Sequence, residues 1–570
     1  MLRADIWIRR VLIGAVALSF SAPLARAQSA GQGAITPAPV ASPSVIGREV
    51  MQEVPQRPRA EIEVPPAGGL TVTPELANRE VEFAHVTVAG ATAFGAPDFA
   101  PLLAPILNRR LRFADVVAAL NRIAQLYEKG GYVFYSLALP QQDLDGRELK
   151  VVVIEGSVSG VEVQDGITSP AVRGRIAALL GKLQGRKALK RSELERQLLL
   201  AADTPGVALH ASARPDPSAA DKVVLVVGGT FERFEPVAQV DSFSTVPDTS
   251  VNFRLGGIGR SLLSGGDQLE GRYLFALPWD RLQLFDVRYG LPVGLDGGRL
   301  SFLGQAVWQQ PPATFNGQSI YYQARSLLGR IQYSYPIVRH LGWTLMALGM
   351  LDVIDVDYNI AGIGIPGDSL RVLRGGMTTT FRDGWKGTWG AAALASVGLD
   401  LAGAETANRF SAAPSFFKLN LALERAQPLG KHFTFVARAV GQMTSGTVPA
   451  AEVFSYGGRE FGRAFNLSES FGDRGAAVSA ELRYAIDWID FLKDKADPHL
   501  YVFADHGWLS SVDPRNAPLF TQATSAGGGI RVIGFKKYTA ELEFAKALDA
   551  PPIDVGAWPW RVSVRVGTKF

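Results

Sequence analysis

The amino-acid sequence predicts a β-rich protein in which two exported α+β modules precede a transmembrane antiparallel β-barrel of about sixteen strands. The order strand, helix, helix, strand, strand occurs twice between residues 81 and 229. Residues 230–570 instead consist of short segments in which apolar and polar side chains alternate, separated by Gly, Pro, Asp and Asn. An export signal in residues 1–27 places all of these segments outside the cytoplasm.

Composition limits the classes of function. The 570 residues include 60 glycines, and only 20% of them are charged, a balance typical of a β-rich protein. The formal net charge of +4 is small for this length, so we expect no nucleic-acid partner. Cysteine is absent, which excludes disulfides, thiol catalysis and Cys-ligated metals.

The N-terminus carries the pattern of a signal peptide. Arg9 and Arg10 precede an apolar run over residues 11–20, and Ala25-Arg-Ala27 supplies the small residues that signal peptidase requires. We therefore predict a signal peptide over residues 1–27, cleaved after Ala27. A retained membrane anchor is the alternative, but the run is shorter than the roughly 20 residues that span a bilayer. Because no later apolar run reaches about 18 residues, we expect no transmembrane helix.

Residues 28–80 are predicted to form an extended Pro/Ala-rich periplasmic tether. Prolines interrupt the segment repeatedly and prevent regular elements, at positions Pro37, Pro39, Pro43, Pro55, Pro58, Pro65, Pro66 and Pro74. Residues 44–53 carry both signs of charge, and either a short helix or an irregular segment is compatible with them.

Residues 81–156 and 157–229 are predicted to be two modules of the same kind. In the first, the longer helix has apolar residues at helical spacing and ends at two glycines, Gly130 and Gly131. Its predicted elements are strand 81–88, helix 98–108, helix 113–127, strand 133–139 and strand 149–154. Those of the second are strand 158–163, helix 171–183, helix 193–200, strand 208–213 and strand 223–227. A repeated small unit of this kind is typical of tandem modules.

Residues 230–570 alternate with a period of two. In the segment 478–486 one face is apolar and the other carries Ser479, Glu481 and Arg483. Such a polar face fits either the outside of a soluble β-sandwich or the inside of a membrane barrel. Aromatic residues near the ends of many segments favour the barrel, as an interfacial girdle would place them: Trp279, Tyr289, Trp343, Trp488, Trp508 and Trp560.

One Gly-rich stretch, Tyr456 to Phe465, has an unusual composition for a solvated loop because Arg463 stands between small residues and is followed by an aromatic. Further along, alternation in the strand 499–505 directs Tyr501, Phe503 and Asp505 to one face. Arg463 and Asp505 together indicate a loop tip held inside a barrel. On these residues alone, an ordinary turn and an ordinary lumen-facing acid fit equally well.

Several motifs resemble those of one transporter group. Tyr127-Glu-Lys-Gly-Gly-Tyr132, Leu139-Pro-Gln141 and Val153-Ile-Glu-Gly156 are similar to a polypeptide-transport-associated (POTRA) domain of two-partner secretion transporters. Gly462-Arg463-Ala464-Phe465 resembles the sixth-loop motif Val-Arg-Gly-[Tyr/Phe] of the BamA-type superfamily, with Gly for Val and Ala for Gly. Phe503-Ala-Asp505-His-Gly507 fits the Phe-x-Asp-x-Gly strand motif of that superfamily in full.

The chain thus resembles the two-partner secretion transporters (the TpsB group, with the ShlB/FhaC/HecB haemolysin secretion/activation family). The resemblance implies two periplasmic POTRA domains, over residues 81–156 and 157–229, and an outer-membrane barrel over residues 230–570. It also implies a loop-to-barrel lock and a terminal aromatic recognised by the outer-membrane assembly machinery. The residues are Arg463, Phe465, Phe503, Asp505 and Gly507 for the lock and Phe570 for assembly.

The implied function is secretion of an unfolded exoprotein through the barrel, without a cofactor, a metal or enzymatic catalysis. The implied partner is a large, TpsA-like secreted exoprotein with an N-terminal secretion domain, and the barrel wall would face outer-membrane lipid. The alternative is a BamA-like assembly factor for other barrels, although such factors usually carry more POTRA units. Gly362-Ile-Gly-Ile-Pro-Gly367 matches a dinucleotide fingerprint only by its letters, because no helical pattern follows it.

Overall fold

The computed structural model describes residues 60–63, 68–219, 221–243, 251–310, 312–315, 318–360, 362–407, 409–489, 495–534, 537–549 and 560–568. The signal peptide with Ala27, most of the tether and the terminal Phe570 lie outside the described residues. Within these ranges, no helix combines the length and the apolar composition needed to cross a bilayer.

The part of the chain up to residue 231 contains the described α-helices and nine strands. The helices are α1 Pro74–Ala77, α2 Ala96–Leu103, α3 Phe113–Lys129, α4 Pro170–Gly181 and α5 Arg191–Ala202. The strands are β1 Ala60–Glu63, β2 Glu80–Glu82, β3 His85–Ala89, β4 Arg110–Arg112, β5 Tyr135–Ala138, β6 Glu148–Glu155, β7 Ser157–Val163, β8 Val207–Pro215 and β9 Lys222–Phe231.

In the first module, a three-stranded sheet of order β3-β6-β5 packs against α2 and α3. Helix α3 forms as predicted because Val116, Leu120, Ile123 and Tyr127 share one face and are buried against the sheet. The predicted single strand 81–88 is wrong. Phe83 enters the core and interrupts the ladder, so that β2 pairs with β4 in a separate ladder and β3 joins the main sheet.

In the second module, α4 and α5 pack on a four-stranded sheet of order β1-β8-β9-β7. The edge strand β1 comes from the segment predicted to be a tether, and it pairs in parallel with β8. The description of residues 28–80 as an extended tether therefore fails for its last part. Residues 60–63 alternate and are free of proline, so they can add a strand where the flanking prolines Pro58 and Pro65 cannot.

Sixteen long antiparallel strands close a barrel, which confirms the predicted architecture. They are β10 Phe234–Asp241, β11 Val251–Arg260, β12 Gln268–Leu277, β13 Leu282–Val293, β14 Gly298–Gln309, β16 Gln318–Arg339, β17 Trp343–Ile360, β19 Ser369–Arg382, β20 Thr388–Gly398, β21 Phe417–Leu429, β22 Phe433–Thr444, β25 Arg474–Ala485, β26 Ala496–Ser510, β27 Gln522–Gly534, β28 Tyr538–Ala547 and β29 Trp560–Thr568. Short strands β15 Pro312–Phe315 and β18 Ile363–Ile365 extend the hairpins next to β16 and β17. Pairing of β10 with β29 closes the ring.

Alternation sorts side chains between the lumen and the outer wall. On β26, Leu500 and Val502 are 46% and 59% exposed, whereas Tyr501, Phe503 and Asp505 on the opposite face are buried. The outward apolar residues form the surface that lipid covers in a transmembrane barrel. Tyr289 does not belong to an aromatic girdle, since it lies within β13 and its hydroxyl donates to Asp267 at 3.1 Å.

The second module is docked on the barrel end where β10 begins. Arg339, at the end of β16, is 2% exposed and forms a two-point ion pair with Asp203, which follows α5. Its third nitrogen donates to Thr344 Oγ1 at 2.9 Å. Planar two-point pairing fixes orientation as well as distance, so the module is held at a defined angle to the barrel mouth.

Candidate functional site in the barrel lumen

Residues 445–473, which connect β22 to β25, fold back into the barrel; we call this segment the lumen loop. It contains a 3₁₀ turn, Ala450–Glu452, and a short hairpin of β23 Phe454–Tyr456 and β24 Ser470–Gly472. From Thr447 to Asp473, every residue is buried except Arg459, Glu460, Leu467 and Phe471. The loop therefore lies inside the lumen and is not a solvated extracellular loop.

Glycines make the path of this loop possible. Gly457 has a φ of +109°, and a Cβ there would lie 2.1 Å from the carbonyl oxygen of Asn466. Gly462 has a φ of +75°, and its Cβ would meet the ring of Tyr456 at 2.6 Å. Both the left-handed backbone and the close approach require glycine at these positions.

Arg463, at the loop tip, reaches the barrel wall and pairs with Asp505 on β26. Its Nε donates to Oδ2 at 3.2 Å and its Nη2 donates to Oδ1 at 3.3 Å. Arg463 is 2% exposed and Asp505 is 1% exposed. The structure thus brings together the two residues that the sequence motifs single out, in the fork-like geometry that a guanidinium and a carboxylate favour.

Two further carboxylates, which sequence reasoning did not assign to the lock, also bind Arg463. Its Nη1 donates to Glu481 on β25 at 2.8 Å and to Glu543 on β28 at 3.3 Å. Ser479 Oγ accepts from Nη2 at 3.1 Å. Alternation had placed Ser479 and Glu481 on a polar face, and that is the only signal the sequence offers for them. Their convergence depends on the order and register of the strands.

The wall around Arg463 holds the carboxylates in position. Tyr501 donates its hydroxyl to Glu541 at 2.8 Å and to Glu543 at 3.0 Å, and Arg531 lies 2.6 Å from Glu541. The guanidinium of Arg463 also lies over the ring of Phe503, 3.6 Å from its centroid. Phe503 thus supports the arginine by a cation–π contact in a site from which water is largely excluded.

Phe465 belongs to the predicted lock, but its ring contacts are with aromatic residues other than Phe503. Its ring contacts Tyr456 and Phe520, with centroid distances of 5.8 Å and 5.2 Å. The reason is the turn at Gly462, which directs Phe465 back toward its own hairpin while Arg463 takes the face of Phe503.

Gly507 has a packing role that explains its place in the motif. A Cβ at this position would lie 2.2 Å from Cδ2 of Tyr456. The loop hairpin therefore lies directly against the wall at Gly507, two residues beyond Asp505. A side chain at Gly507 would push the loop away from the carboxylates that bind Arg463.

A second arginine of the loop, Arg459, ties it to the strand that closes the barrel. Its Nε donates to Oδ2 of Asp241 on β10 at 2.9 Å, and its guanidinium lies 5.0 Å from the centroid of Phe243. On β29, Arg561 donates to the side-chain oxygen of Asn466 in the loop. The loop therefore contacts the wall on both sides of the seam between β10 and β29.

In the first module, two residues of the POTRA-like motifs, Tyr127 and Glu155, meet at the carboxylate of Glu155. It accepts from the Tyr127 hydroxyl at 2.5 Å and from the backbone N–H groups of Thr92 and Ala93 at 2.8 Å and 2.9 Å. Burial opposes ionisation of Glu155, but these hydrogen bonds outweigh it and hold its pKa below the ordinary value. Burial and the neighbouring carboxylate raise the pKa of Tyr127.

The edge of β5 beside α3 is occupied by the chain itself. Leu137 N–H donates to the carbonyl of Gly68 at 3.0 Å. On α3, Asn121 accepts from Leu70 N–H at 2.7 Å and donates to the Leu70 carbonyl at 3.1 Å. Residues 68–70 thus take the position that an added strand would take. Among the described residues, no cluster of His, Asp or Glu side chains is arranged to hold a metal ion.

A closed sixteen-strand barrel with an arginine-anchored lumen loop, preceded by α+β modules of the POTRA type, defines an outer-membrane protein of the Omp85 superfamily. The family model for "Haemolysin secretion/activation protein ShlB/FhaC/HecB" matches residues 279–532, and the model for the ShlB-type POTRA domain matches residues 81–156. The chain therefore belongs to the ShlB/FhaC/HecB family of two-partner secretion transporters, a family of secretion channels and not of enzymes. Membership places the barrel in the outer membrane and the POTRA domains in the periplasm.

Individual relatives agree with this assignment. The outer membrane transporter CdiB of Escherichia coli O6:K15:H31 (strain 536 / UPEC) is 24% identical over 177 residues, which span 28% of this chain and 30% of that relative. The structure of CdiB from Escherichia coli superposes with a TM-score of 0.73 at 16% identity, covering 94% of this chain and 99% of that one. CdiB from Acinetobacter baumannii gives a TM-score of 0.64 at 15% identity, covering 94% of this chain and 100% of that one. At these identities, the structural likeness shows the fold alone.

Proposed function

We propose that this protein secretes an unfolded exoprotein from the periplasm through its barrel, and that the lumen loop is the gate. One observation carries the proposal: the tip of a loop that fills the lumen is anchored by Arg463 to three wall carboxylates. A channel built only for passive diffusion has no need of such a filled lumen together with periplasmic modules. The family assignment supports the same function.

The cargo is a large secreted exoprotein of the haemolysin or haemagglutinin type with an N-terminal secretion domain. Its entry point is the groove between the β5 edge and α3 in the first module. An exposed strand edge beside an apolar helix face accepts an extended peptide by strand addition. Since residues 68–70 already occupy this edge, the cargo has to displace them, and the segment acts as a competitor that lowers the affinity of the module for cargo.

The lock keeps the lumen closed between secretion events. Arg463, Asp505 and Phe503 hold the loop tip, while Phe465 and Gly507 position the hairpin that carries it. Release of the tip exposes three carboxylates on the wall. Because a buried charge without a partner is costly, the closed state is favoured until cargo drives opening.

Co-production with a large exoprotein that carries an N-terminal secretion domain tests the proposal. The full-length protein should release that exoprotein into the medium, whereas deletion of residues 81–156 should abolish release and leave a heat-modifiable barrel in the outer membrane. Unchanged release by the deletion variant would remove the module from the mechanism. A fall in the amounts of unrelated outer-membrane barrels when the protein is depleted would instead favour the assembly-factor alternative.

A further inference from the structure

The root of the lumen loop carries a buried carboxylate, Glu452, that contacts a different part of the wall from Arg463. Its Oε1 accepts from Nη2 of Arg374 on β19 at 2.7 Å, and its Oε2 accepts from Nη1 at 3.1 Å. Oε2 also lies 2.6 Å from Nζ of Lys418 on β21. Glu452 is 0% exposed. The same two-point geometry thus recurs with the charges reversed: here the loop supplies the anion and the wall supplies the cations.

The carboxylate of Glu452 neutralises buried positive charge on the barrel wall. Arg330, Arg374 and Lys418 bring three positive charges together, and within the described part of the wall Asp352 pairs with both arginines at 2.7 Å. These side chains are at most 4% exposed. Glu452 supplies the second negative charge. Withdrawing Glu452 would take from Arg374 and Lys418 the carboxylate that pairs with both, and this loss strongly disfavours movement of the root.

The root also makes contacts that do not depend on the charge of Glu452. The backbone carbonyl of Glu452 accepts from Lys418 Nζ at 3.2 Å and from Nε2 of Gln442 at 2.9 Å. The substitution Glu452→Gln keeps the shape of the side chain and these backbone contacts, and it removes the charge together with one of the two acceptor oxygens.

The root and tip contacts are separate. Among the contacts within the described residues, those of Glu452 on β19 and β21 share no side chain with those of Arg463 on β25, β26 and β28. The left-handed glycines Gly457 and Gly458 lie between the two positions. Sites without common partners contribute nearly independently to stability.

We propose that Glu452 is a positioning residue that forms a second latch of the lumen loop, independent of the Arg463 lock and of opposite polarity. Opening of the channel then requires two events: withdrawal of an arginine from an acidic wall and withdrawal of a glutamate from a basic wall. The inference rests on the proposed function only in taking the loop as the part that moves.

The absence of native cysteine allows each end of the loop to be probed separately. Ala451→Cys reports on the root and Ala464→Cys on the tip; both alanines are buried. Intact cells are treated with a membrane-impermeant maleimide, and the labelling rate is followed without any cargo. In the Glu452→Gln background we expect labelling at position 451 to accelerate about tenfold and labelling at 464 to change less than about twofold. Arg463→Ala should give the opposite pattern.

Three variants complete the test. Glu452→Asp, which keeps the charge, should restore most of the slow labelling at the root. Glu405→Gln, which neutralises an exposed carboxylate on another loop, should change neither rate. Lys418→Gln removes a wall cation and replaces Glu452→Gln if the latter does not yield a heat-modifiable barrel.

Equal acceleration at both positions, or no acceleration at the root, would overturn the second latch. Because no cargo is used, that result would leave the proposed function standing, and failed secretion would leave the latch standing.

Discussion

The ring of Tyr456 lies so close to Gly507 that a Cβ on the glycine would come within 2.2 Å of it. Tyr456 belongs to the lumen loop and Gly507 to the barrel wall, so this contact sets how deeply the loop enters the lumen. The fit is therefore steric as well as electrostatic: Gly507 permits the approach, and Arg463 uses it to reach Asp505.

Gly507→Ala should displace the loop without preventing assembly of the barrel. The added methyl group would overlap the Tyr456 ring, an overpacking that costs about 1–3 kcal/mol. We expect secretion to fall strongly while heat-modifiability is retained. Gly349→Ala is the matched control, since a Cβ there meets no atom within 4 Å. Normal secretion by Gly507→Ala would show that the close contact is dispensable.

Arg463→Ala should impair secretion more than Asp505→Ala does. Loss of the arginine removes the cation that pairs with Asp505 and Glu543 and leaves Glu481 with Arg483, whereas loss of Asp505 leaves Arg463 with Glu481 and Glu543. Removing one partner of a buried pair typically costs about 3–5 kcal/mol. The double variant should be little worse than Arg463→Ala, because both residues act in one unit. Arg463→Lys should rescue only partly, since an ammonium cannot form the fork. Additive secretion defects in the double variant would contradict a single lock.

Asn121→Ala should increase the affinity of the purified full-length protein for the secretion domain of its cargo. Asn121 makes two hydrogen bonds to Leu70, and each is worth about 0.5–1.5 kcal/mol. Their loss weakens the segment that occupies the β5 edge, so cargo competes more easily. Gln125→Ala, at an exposed position on the same helix, is the control. Calorimetric titration in detergent measures the change; weaker binding by Asn121→Ala would indicate that the segment assists cargo.

Glu155 should make the stability of the first module depend on acid pH. Its folded-state pKa lies below the ordinary value of 4.5. The carboxylate therefore stabilises the module fully above that value, and this contribution is lost as the pH falls through the folded pKa. Glu155→Gln should lower the melting temperature at pH 7 and flatten its fall below about pH 5. Melting curves of full-length protein, with Glu128→Gln as the control on α3, test this; an unchanged acid slope would assign the pH dependence to other groups.

The sequence by itself determined the local features of this protein. A period of two in residues 230–570 fixed which side chains face the lumen, because the pleat of a strand leaves no other arrangement. The apolar residues over 116–127 recur at helical spacing and therefore share one face of a helix, which determined α3. Arg463 and Asp505 were identified from short motifs, which are also local.

Only the tertiary structure decided which distant residues act together. Glu481, Asp505 and Glu543 surround one guanidinium because β25, β26 and β28 are close neighbours in the ring, and Glu452 meets Arg374 because the loop root crosses to β19. Alternation tells whether a residue faces inward. Alternation does not tell at what height along the wall a residue lies or which partner it contacts. These depend on strand register and on the path of a loop whose glycines permit many conformations.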